Sequence, residues 1–418
     1  MLNAKGEREL AYVVKVENIT PMNADRLECA HIGGWHCVVG KGEFKVGDPA
    51  IYFEIDSKLP EIEPFVSMEF LASKHFKIKT QKIRGEYSQG LLISAKSLGW
   101  EYFTNVEYRV DPPYRSDSIG VVDDEGTVHF EIGESRFLTQ KLGVTYVEPT
   151  DNQRKAPSVD KYKRMAQRHG KLFSHQPYRW LMKRDWGKKF LFVFYGKRKD
   201  KKSNWPIWVK KTDEERVQNM PWIIKDLGPW IATEKIDGTS TTFTMKKKRF
   251  GGYEFLVCSR NVVFDKPNKK CFYETNVYTE MAEKYYIEHK MKEMFESNEF
   301  KDCNWITIQG ETYGAGIQKR DYGLKDHQFM AFNLITSKKG RYNSKDMETI
   351  LWYYYNIPCV PILDIDYTMP ETVEELLENA TGKSVIDNGM REGIVFRSKD
   401  GTKSFKAVSN EYLMKYHG

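Results

Sequence analysis

Residues 233–243 read TEKIDGTSTTF, and Lys235 stands in this stretch two residues before an Asp-Gly turn. A lysine amine attacks phosphorus only when it is unprotonated, so a nucleophilic lysine needs a pKa lowered by burial, by cations or by a metal ion. A strand followed by a tight turn suits this chemistry, because it fixes the amine while Asp237 turns back toward the same pocket. An ordinary surface lysine at a strand end is the competing interpretation, and KIDG alone does not decide between them.

Two glutamates stand where apolar strands end or begin. Glu311 follows the run WITI within QGETYG, and Glu392 precedes the run GIVF within REGIVFRS. Each carboxylate taken alone is an ordinary solvated turn residue. Together with Asp237 around one lysine, they predict a hard-oxygen environment for Mg²⁺ or Mn²⁺, which they hold directly or through water.

Three further side chains could contact a nucleotide. Lys406 lies in the strand-like run GTKSFKAVS and could hold a phosphate from the opposite side of the pocket. Arg260 in SRN could bind a phosphate through two nitrogens. Phe332 in FMAFN could stack on a purine. The competing interpretation of Lys406 is an ordinary edge-strand lysine. The competing interpretation of Phe332 is a core aromatic without a ligand.

The order of these motifs along the chain resembles that of the covalent nucleotidyltransferases, which comprise DNA ligases, RNA ligases and mRNA capping enzymes. Within this superfamily the chain is similar to the ATP-dependent RNA ligases of the Deinococcus and Naegleria type, which carry an OB module before the nucleotidyltransferase domain. The resemblance covers most of the chain. Outside the motifs it rests on ITPMNADRLECAHIGGW, KIRGEYSQGLL, LGVTYVEP and KTDEERVQN.

The resemblance implies a role for each motif residue. The catalytic residues would be Lys235, Asp237, Glu392 and Lys406. The residues that bind the nucleotide would be Glu234, Gly238, Arg260, Glu311, Phe332 and Lys406. The residues that hold the metal through waters would be Asp237, Glu311 and Glu392. ATP would be the co-substrate, Mg²⁺ or Mn²⁺ the cofactor, and nicked or broken RNA the partner. The sequence departs from the family at Asn333, where relatives carry an acid, and around Lys406, where many relatives have paired lysines.

The elements that position these residues fall into two predicted domains. Five short β-rich runs over about 10 to 96 predict an all-β barrel of the OB type, although a small β-sandwich fits the same periodicity equally well, and a hairpin-like run completes a domain over 1–150. A polar, basic linker is predicted over 151–170. Residues 171–418 are expected to form an α+β nucleotidyltransferase domain with antiparallel sheets. A capping-box pattern in TDEERVQN also predicts a short helix over 212–219.

Composition narrows the class of protein. The chain has 418 residues, 40% hydrophobic and 29% charged, with a formal net charge of +7, which permits but does not demand a polyanionic partner. No apolar run approaches the length of a membrane span, and the charged N-terminus does not resemble a signal peptide. The six cysteines lack metal-site or disulfide-framework spacing. We therefore expect a cytoplasmic, monomeric enzyme with no membrane partner.

Four functions compete at this point. The leading hypothesis is an RNA ligase that joins RNA 3′-hydroxyl and 5′-phosphate ends through a lysyl-AMP intermediate and an adenylylated 5′ end. A DNA ligase, a GTP-using capping-type enzyme and a non-catalytic RNA-binding protein are the alternatives. Capping enzymes and most DNA ligases carry an OB domain after the last lysine strand, but only twelve residues follow Lys406, so we expect no such domain here.

Overall fold

Short apolar runs separated by turn residues form the strands of the N-terminal region. In the strand from Trp35 to Gly40 alternate side chains are buried, as in a strand with one face on a core. One sheet has the order β1, β5, β9, a second the order β2, β3, β4, and β7 pairs with β8. The elements are β1 (Ala11–Lys15), β2 (Asn18–Pro21), β3 (Leu27–Ile32), β4 (Trp35–Gly40), β5 (Pro49–Phe53), β6 (Ser57–Lys58), α1 (Glu69–Ala72), β7 (Thr80–Ile83), β8 (Glu86–Gln89) and β9 (Leu91–Ile93).

This computed structural model describes residues 1, 8–94, 97, 106–107, 118–122, 128–135, 137–146, 175–195, 205–226, 228–264 and 275–417. Residues Met1–Pro149 and Val209–Gly418 form one compact unit, and Thr150–Trp208 forms another. The predicted linker at 151–170 lies outside the described residues, and the predicted domain boundaries stay predictions.

Four short strands and two helices follow before the C-terminal region. Strands β10 (Val106–Glu107), β11 (Ser118–Val122) and β12 (Val128–Ser135) form a three-stranded sheet, and β13 (Thr145–Tyr146) pairs with β6. The second compact unit contains α2 (Gln176–Met182) and α3 (Asp185–Tyr195).

The C-terminal region contains two antiparallel sheets. A four-stranded sheet has the order β21, β14, β22, β23, and a six-stranded sheet has the order β17, β16, β15, β18, β19, β20. The strands are β14 (Trp230–Lys235), β15 (Thr239–Lys247), β16 (Tyr253–Cys258), β17 (Val263–Phe264), β18 (Trp305–Gly314), β19 (His327–Thr336), β20 (Gly340–Arg341), β21 (Ile362–Tyr367), β22 (Gly393–Ser398) and β23 (Ser404–Val408).

Five helices accompany these sheets: α4 (Val277–Lys284), α5 (Ile287–Glu296), α6 (Ser344–Glu348), α7 (Val373–Ala380) and α8 (Asn410–Tyr416). Helix α5 buries Ile287, Met291, Met294 and Phe295, and its face packs with Phe243, Ile306 and Phe329 of the six-stranded sheet. A π-helical turn, Thr349–Tyr354, continues α6, and two 3₁₀ turns cover Val217–Asn219 and Pro221–Lys225.

The short helix predicted over 212–219 is wrong. Only its end, Val217–Asn219, is helical, as a 3₁₀ turn. The preceding residues make long-range contacts instead: the Thr212 hydroxyl lies 2.8 Å from that of Ser240, and Arg216 forms a parallel bridge with Lys406. Tertiary pairing therefore overrides the local capping signal.

The OB-like strands pack directly against this segment. The Gly34 amide donates a 3.0 Å hydrogen bond to the Gln218 carbonyl, and a Cβ at Gly34 would lie 2.7 Å from the Gln218 Cα. Because no side chain fits at that distance, the glycine allows the two backbones to meet.

A buried polar network surrounds Asn219 at the same place. Its amide nitrogen donates to Glu54 Oε1 at 2.8 Å and to Glu215 Oε1 at 2.7 Å, while its Oδ1 accepts a 2.7 Å hydrogen bond from the Trp35 indole. The Tyr12 hydroxyl lies 3.0 Å from Glu54 Oε1. One asparagine thus joins its own segment to Trp35 and Glu54, which lie 184 and 165 positions away in sequence.

Replacing Asn219 by leucine is expected to lower the free energy of unfolding by about 3–5 kcal/mol, because the Glu54 carboxylate and the Trp35 indole nitrogen lose buried partners. Denaturant-induced unfolding measures the change. Asn379→Leu is the control, since Asn379 is exposed and makes one 3.4 Å side-chain hydrogen bond to Tyr367, and we expect a change within about 0.5 kcal/mol. If both variants lowered the free energy of unfolding equally, the buried network around Asn219 would not stabilise the fold.

Candidate active site

The strand register brings Lys235 and Glu392 together. Strands β14 and β22 run antiparallel with Lys235 opposite Gly393, so the last residue of β14 meets the residue just before β22. The Lys235 amine donates a 2.8 Å hydrogen bond to Glu392 Oε2. Two residues that are 157 positions apart in sequence therefore form one partly buried ion pair.

The charges around Lys235 favour its protonated form. Burial alone would lower the pKa of the Lys235 amine, but the carboxylates of Glu392 and Glu311 outweigh burial and raise that pKa above its ordinary value. In the protein without ligands the pKa of this amine is therefore raised, whereas a nucleophilic lysine needs a lowered one. A reaction at this amine requires a proton acceptor or an incoming positive charge.

Glu311 and Asp237 also act electrostatically on this lysine. Burial raises the pKa of Glu311 to about 8 despite the nearby Lys235 ammonium, and burial likewise raises the pKa of Glu392. Three carboxyl groups thus face one amine, and this excess of hard oxygen fits a divalent cation. Within the described ranges no group of three His, Cys, Asp or Glu residues could hold a metal ion directly.

Asp237 is held from three directions. Its Oδ2 accepts a 2.8 Å hydrogen bond from the Tyr412 hydroxyl and lies 3.2 Å from Nε2 of His417, while its backbone amide donates to the Tyr322 hydroxyl at 2.7 Å. Burial would raise the pKa of Asp237, but the His417 hydrogen bond and the charges of His417 and Lys235 hold it below its ordinary value. The carboxylate is thereby kept ionised and fixed in orientation.

The helix that carries Tyr412 is bound to the OB-like strands. Gln89 Nε2 donates to Asn410 Oδ1 at 2.8 Å at the start of α8, and the Lys79 amine donates to the His417 carbonyl at 2.6 Å beyond its end. The N-terminal strands therefore support the Asp237 carboxylate indirectly, through α8.

Gly238 occupies a position that no other residue fits. A Cβ there would lie 2.3 Å from the Thr312 carbonyl oxygen and 2.9 Å from the Glu311 Cγ. The close approach keeps the turn between β14 and β15 against β18, which carries Glu311.

Lys406 shares a sheet face with Lys235. Strand register places Thr233 opposite Val395 and Val395 opposite Lys406, and directly opposed residues project to the same side. Because alternate residues of a strand share a face, Lys235 projects to that side as well. Burial lowers the pKa of the Lys406 amine to about 8, in spite of the nearby Asp213 carboxylate.

A cluster of cations surrounds Asp213 next to Lys406. Arg260 forms an ion pair with Asp213, and the guanidinium groups of Arg260 and Arg8 lie 5.5 and 5.1 Å from the ring centre of Tyr146. Arg216 pairs with Asp56 at 3.5 Å, yet its Nε and Nη1 are buried without a hydrogen-bond partner. Such unsatisfied donors beside other cations suit a phosphate ligand.

Glu234 points away from Lys235, as alternation along β14 requires. The Ser384 hydroxyl donates to its Oε1 at 2.5 Å and the Val385 amide to its Oε2 at 2.8 Å. The carboxylate thus fixes segment 384–386, and each of its oxygens can accept a second hydrogen bond.

Phe332 sits at an irregularity in β19. Gln309 opposes Asn333 while Gly310 opposes Ala331, so Phe332 is the extra residue of a β-bulge, a device that re-aims a side chain. The ring is half-buried, and the Arg397 guanidinium lies 6.0 Å from its centre. The Asn333 amide donates to Gln309 Oε1 at 3.0 Å, so this departure from the family's acid has a structural partner.

Five residues of this region were not singled out by sequence analysis: Arg8, Asp213, Arg216, Tyr412 and His417. Each reaches the site from a segment in which no motif indicates a role for that residue. KTDEERVQN contributed to the family resemblance without indicating a role for Asp213 or Arg216, and its charge density was the one available signal.

Comparison with known proteins gives two family matches in the order expected from the sequence. Residues 228–417 match the RNA ligase family, and residues 10–95 match an OB-fold domain family. No curated protein sequence matches the chain. The predicted fold class, an OB-like barrel followed by an α+β nucleotidyltransferase domain, is confirmed.

Solved structures of Naegleria gruberi RNA ligase match nearly the whole chain. The complex with PPi is 26% identical, covers 98% of this chain and 99% of its own, and has a TM-score of 0.68. A mutant with ATP and Mn and another with AMP and Mn are also 26% identical, with TM-scores of 0.68 and coverage of 98% of this chain and at least 99% of their own. Among the described residues no helix has the length and apolarity needed to span a bilayer.

Proposed function

We infer that the chain is an ATP-dependent RNA ligase of the type represented by the Naegleria gruberi enzyme. The observation that carries this function is the match over 98% of the chain at 26% identity, with the OB-fold and RNA ligase segments in the same order. ATP is the co-substrate, a divalent cation such as Mg²⁺ or Mn²⁺ is the cofactor, and RNA is the substrate. We further propose that the enzyme works as a monomer in the cytoplasm.

We propose that Lys235 is the AMP carrier. Its amine attacks the α-phosphorus of ATP, so a nitrogen–phosphorus bond forms while the bond to the pyrophosphate oxygen breaks. In this proposal Glu392 accepts the proton that the amine must lose, which its 2.8 Å contact with the amine and its raised pKa support. A divalent cation held through water by Asp237, Glu311 and Glu392 would supply positive charge at the phosphates.

Two further displacements complete the proposed reaction. A 5′-phosphate oxygen of RNA attacks the lysine-bound phosphorus, which returns the electron pair to Lys235 and leaves AMP on the RNA. A 3′-hydroxyl then attacks the RNA phosphorus, loses its proton and expels AMP. We propose that Lys406, Arg260 and Arg216 neutralise phosphate oxygens during these steps, because Asp213 and Arg216 act on Lys406 and Arg260 pairs with Asp213.

The adenine is proposed to lie between the bulge of β19 and segment 384–386. Phe332 supplies the stacking ring, and Glu234, which holds Ser384 and the Val385 amide, accepts hydrogen bonds from the base edge with its remaining lone pairs. Gly238 keeps the neighbouring turn tight enough to leave room for the nucleotide.

Labelled nucleotides and defined strand ends test this function. ATP labelled at the α-phosphate is expected to leave a covalent adduct, whereas labelled GTP leaves none; a GTP-only adduct would identify a capping-type enzyme. Sealing is expected to require ribonucleotides at the 3′-hydroxyl end, and equal sealing of an all-DNA nick would identify a DNA ligase. RNA binding without any adduct would leave only the non-catalytic interpretation.

Tyr412 and His417 are proposed to position Asp237. Replacing Tyr412 by phenylalanine or His417 by alanine is expected to slow AMP transfer to Lys235 by about 10-fold, because outer partners orient residues that hold metal-bound water. Single-turnover adduct formation measures the rate. His417→Gln, which keeps an N–H donor, is expected to recover most of it. If glutamine and alanine slow the reaction equally, the hydrogen bond has no positioning role.

A further inference from the structure

The positive charge of the chain is concentrated in one short unit. Residues Thr150–Trp208 contain 17 of the 65 Lys and Arg residues and only 4 of the 58 Asp and Glu residues. The unit therefore carries a formal charge of +13, and the rest of the chain carries −6, which gives the net +7. A field of this sign attracts polyanions.

The two helices of this unit expose aromatic rings. Trp180 on α2 and Trp186 and Phe190 on α3 are 51%, 57% and 52% exposed. The Trp180 and Trp186 rings meet edge to face with centroids 6.1 Å apart, and Phe190 follows Trp186 by one helical turn. The Arg184 guanidinium lies 3.7 Å above the Trp180 ring. These four side chains form an aromatic face.

The aromatic face is distinct from the surface that holds the helices together. Leu191 is buried among Tyr178, Leu181, Met182 and Tyr195, which provide the contact between α2 and α3. The same helical segment exposes the basic side chains Arg179, Lys183 and Lys189, and the single acid between 175 and 195, Asp185, is paired with Lys188 at 2.9 Å.

We propose that the aromatic face binds single-stranded RNA. Exposed rings interleaved with cations are the combination that single strands require, because bases stack on the rings while lysines and arginines contact the phosphates. A paired duplex hides its base faces, so the rings would add little to duplex binding. That the ligand is RNA rests on the proposed ligase function. That it is a polyanion with exposed bases rests on the positive charge of the unit and on its exposed aromatic rings.

The test is a double substitution, Trp180→Ala with Trp186→Ala, in the full-length protein. The probe is a fluorescein-labelled, 20-nucleotide single-stranded RNA, and anisotropy titration measures its dissociation constant. We expect about a 10- to 100-fold weaker affinity, since each lost stacking contact weakens binding severalfold or more. Neutralising Arg179, Lys183 and Lys189 with glutamine is expected to weaken binding and to flatten its salt dependence.

The matched control is Tyr353→Ser with Tyr354→Ser, which removes two rings that are 73% and 75% exposed on the π-helical turn far along the chain. We expect RNA affinity unchanged for this control. The proposal is overturned by an unchanged affinity in the tryptophan variant, by a loss of thermal stability without a loss of RNA binding, or by a loss of binding to phosphatidylserine vesicles alone. Because RNA binding is measured without ATP, a missing lysyl-AMP adduct in the wild type would refute only the ligase function.

Discussion

Replacing Lys235 by alanine is expected to abolish the covalent AMP adduct and to reduce sealing of 5′-phosphate RNA by at least about 10³-fold, because the nucleophile itself is removed. Gel analysis after incubation with α-labelled ATP measures the adduct. Lys235→Arg is expected to fail as completely, since a guanidinium stays protonated at every accessible pH and cannot attack phosphorus.

Pre-adenylylated RNA separates the loss of the nucleophile from general damage to the site. This substrate already carries its AMP, so its sealing does not consume the lysine, and Lys235→Ala is expected to retain measurable sealing of it. Lys403→Ala is the control lysine, because Lys403 is exposed and pairs with Asp226 on the surface. We expect full adduct formation from that variant. If the Lys235→Ala variant still formed an adduct, the nucleophile would be another residue.

The pH dependence of adduct formation should follow the raised pKa of Lys235. The carboxylates of Glu392 and Glu311 keep the amine protonated in the protein alone, so the fraction of free amine, and with it the rate, is expected to increase with pH. The affinity for ATP is expected to change with pH in the opposite direction, because it falls as Lys406 loses its proton. Measuring the rate of adduct formation at saturating ATP separates the two effects.

Sequence analysis was most informative where a charged residue stands next to the end of a strand. Lys235 and Glu392 stand where β14 ends and β22 begins, and the antiparallel pairing of these strands brings them together. Glu311 instead lies within β18 of the other sheet, although it was expected to end the run WITI. Sequence analysis could not reveal Tyr412 and His417, because their relation to Asp237 depends on how α8 packs between Gln89, Lys79 and the site.

The failed helix prediction has the same physical origin. Residues 212–216 satisfy a local capping pattern, but their backbone pairs with the strand of Lys406, since the Lys406 amide donates to the Glu215 carbonyl at 2.8 Å. That pairing places Asp213 and Arg216 among the cations. Local propensity is worth fractions of a kcal/mol per residue, and tertiary hydrogen bonds and packing readily exceed it.

Replacing Lys406 by alanine is expected to lower kcat/KM for ATP in adduct formation by about 10²-fold. The amine lies on the face it shares with Lys235, where it would contact a phosphate oxygen, and loss of one preorganised cation costs about this much. Lys406→Arg is expected to retain more activity than Lys406→Ala, because it keeps the charge. Equal losses in both variants would indicate that the shape of the side chain matters and its charge does not.

The pKa of Lys406, about 8, makes this contribution depend on pH. Burial lowers the pKa, so the free protein loses the Lys406 proton as pH rises through 8, and with it the charge that binds phosphate. We expect KM for ATP to rise above pH 8 in the wild type and to change less in Lys406→Arg, whose guanidinium stays charged.

Calorimetry provides a direct measurement of this proton. A bound phosphate favours the ammonium form, so binding at pH 8.5 is expected to take up a proton at Lys406, whereas binding at pH 7 is not, because the amine is already protonated there. Titration with α,β-methylene ATP, which cannot release pyrophosphate, in buffers of different ionisation enthalpy measures the uptake. It should disappear in Lys406→Arg. Uptake that persists in that variant would assign the proton to another group and remove Lys406 from the phosphate site.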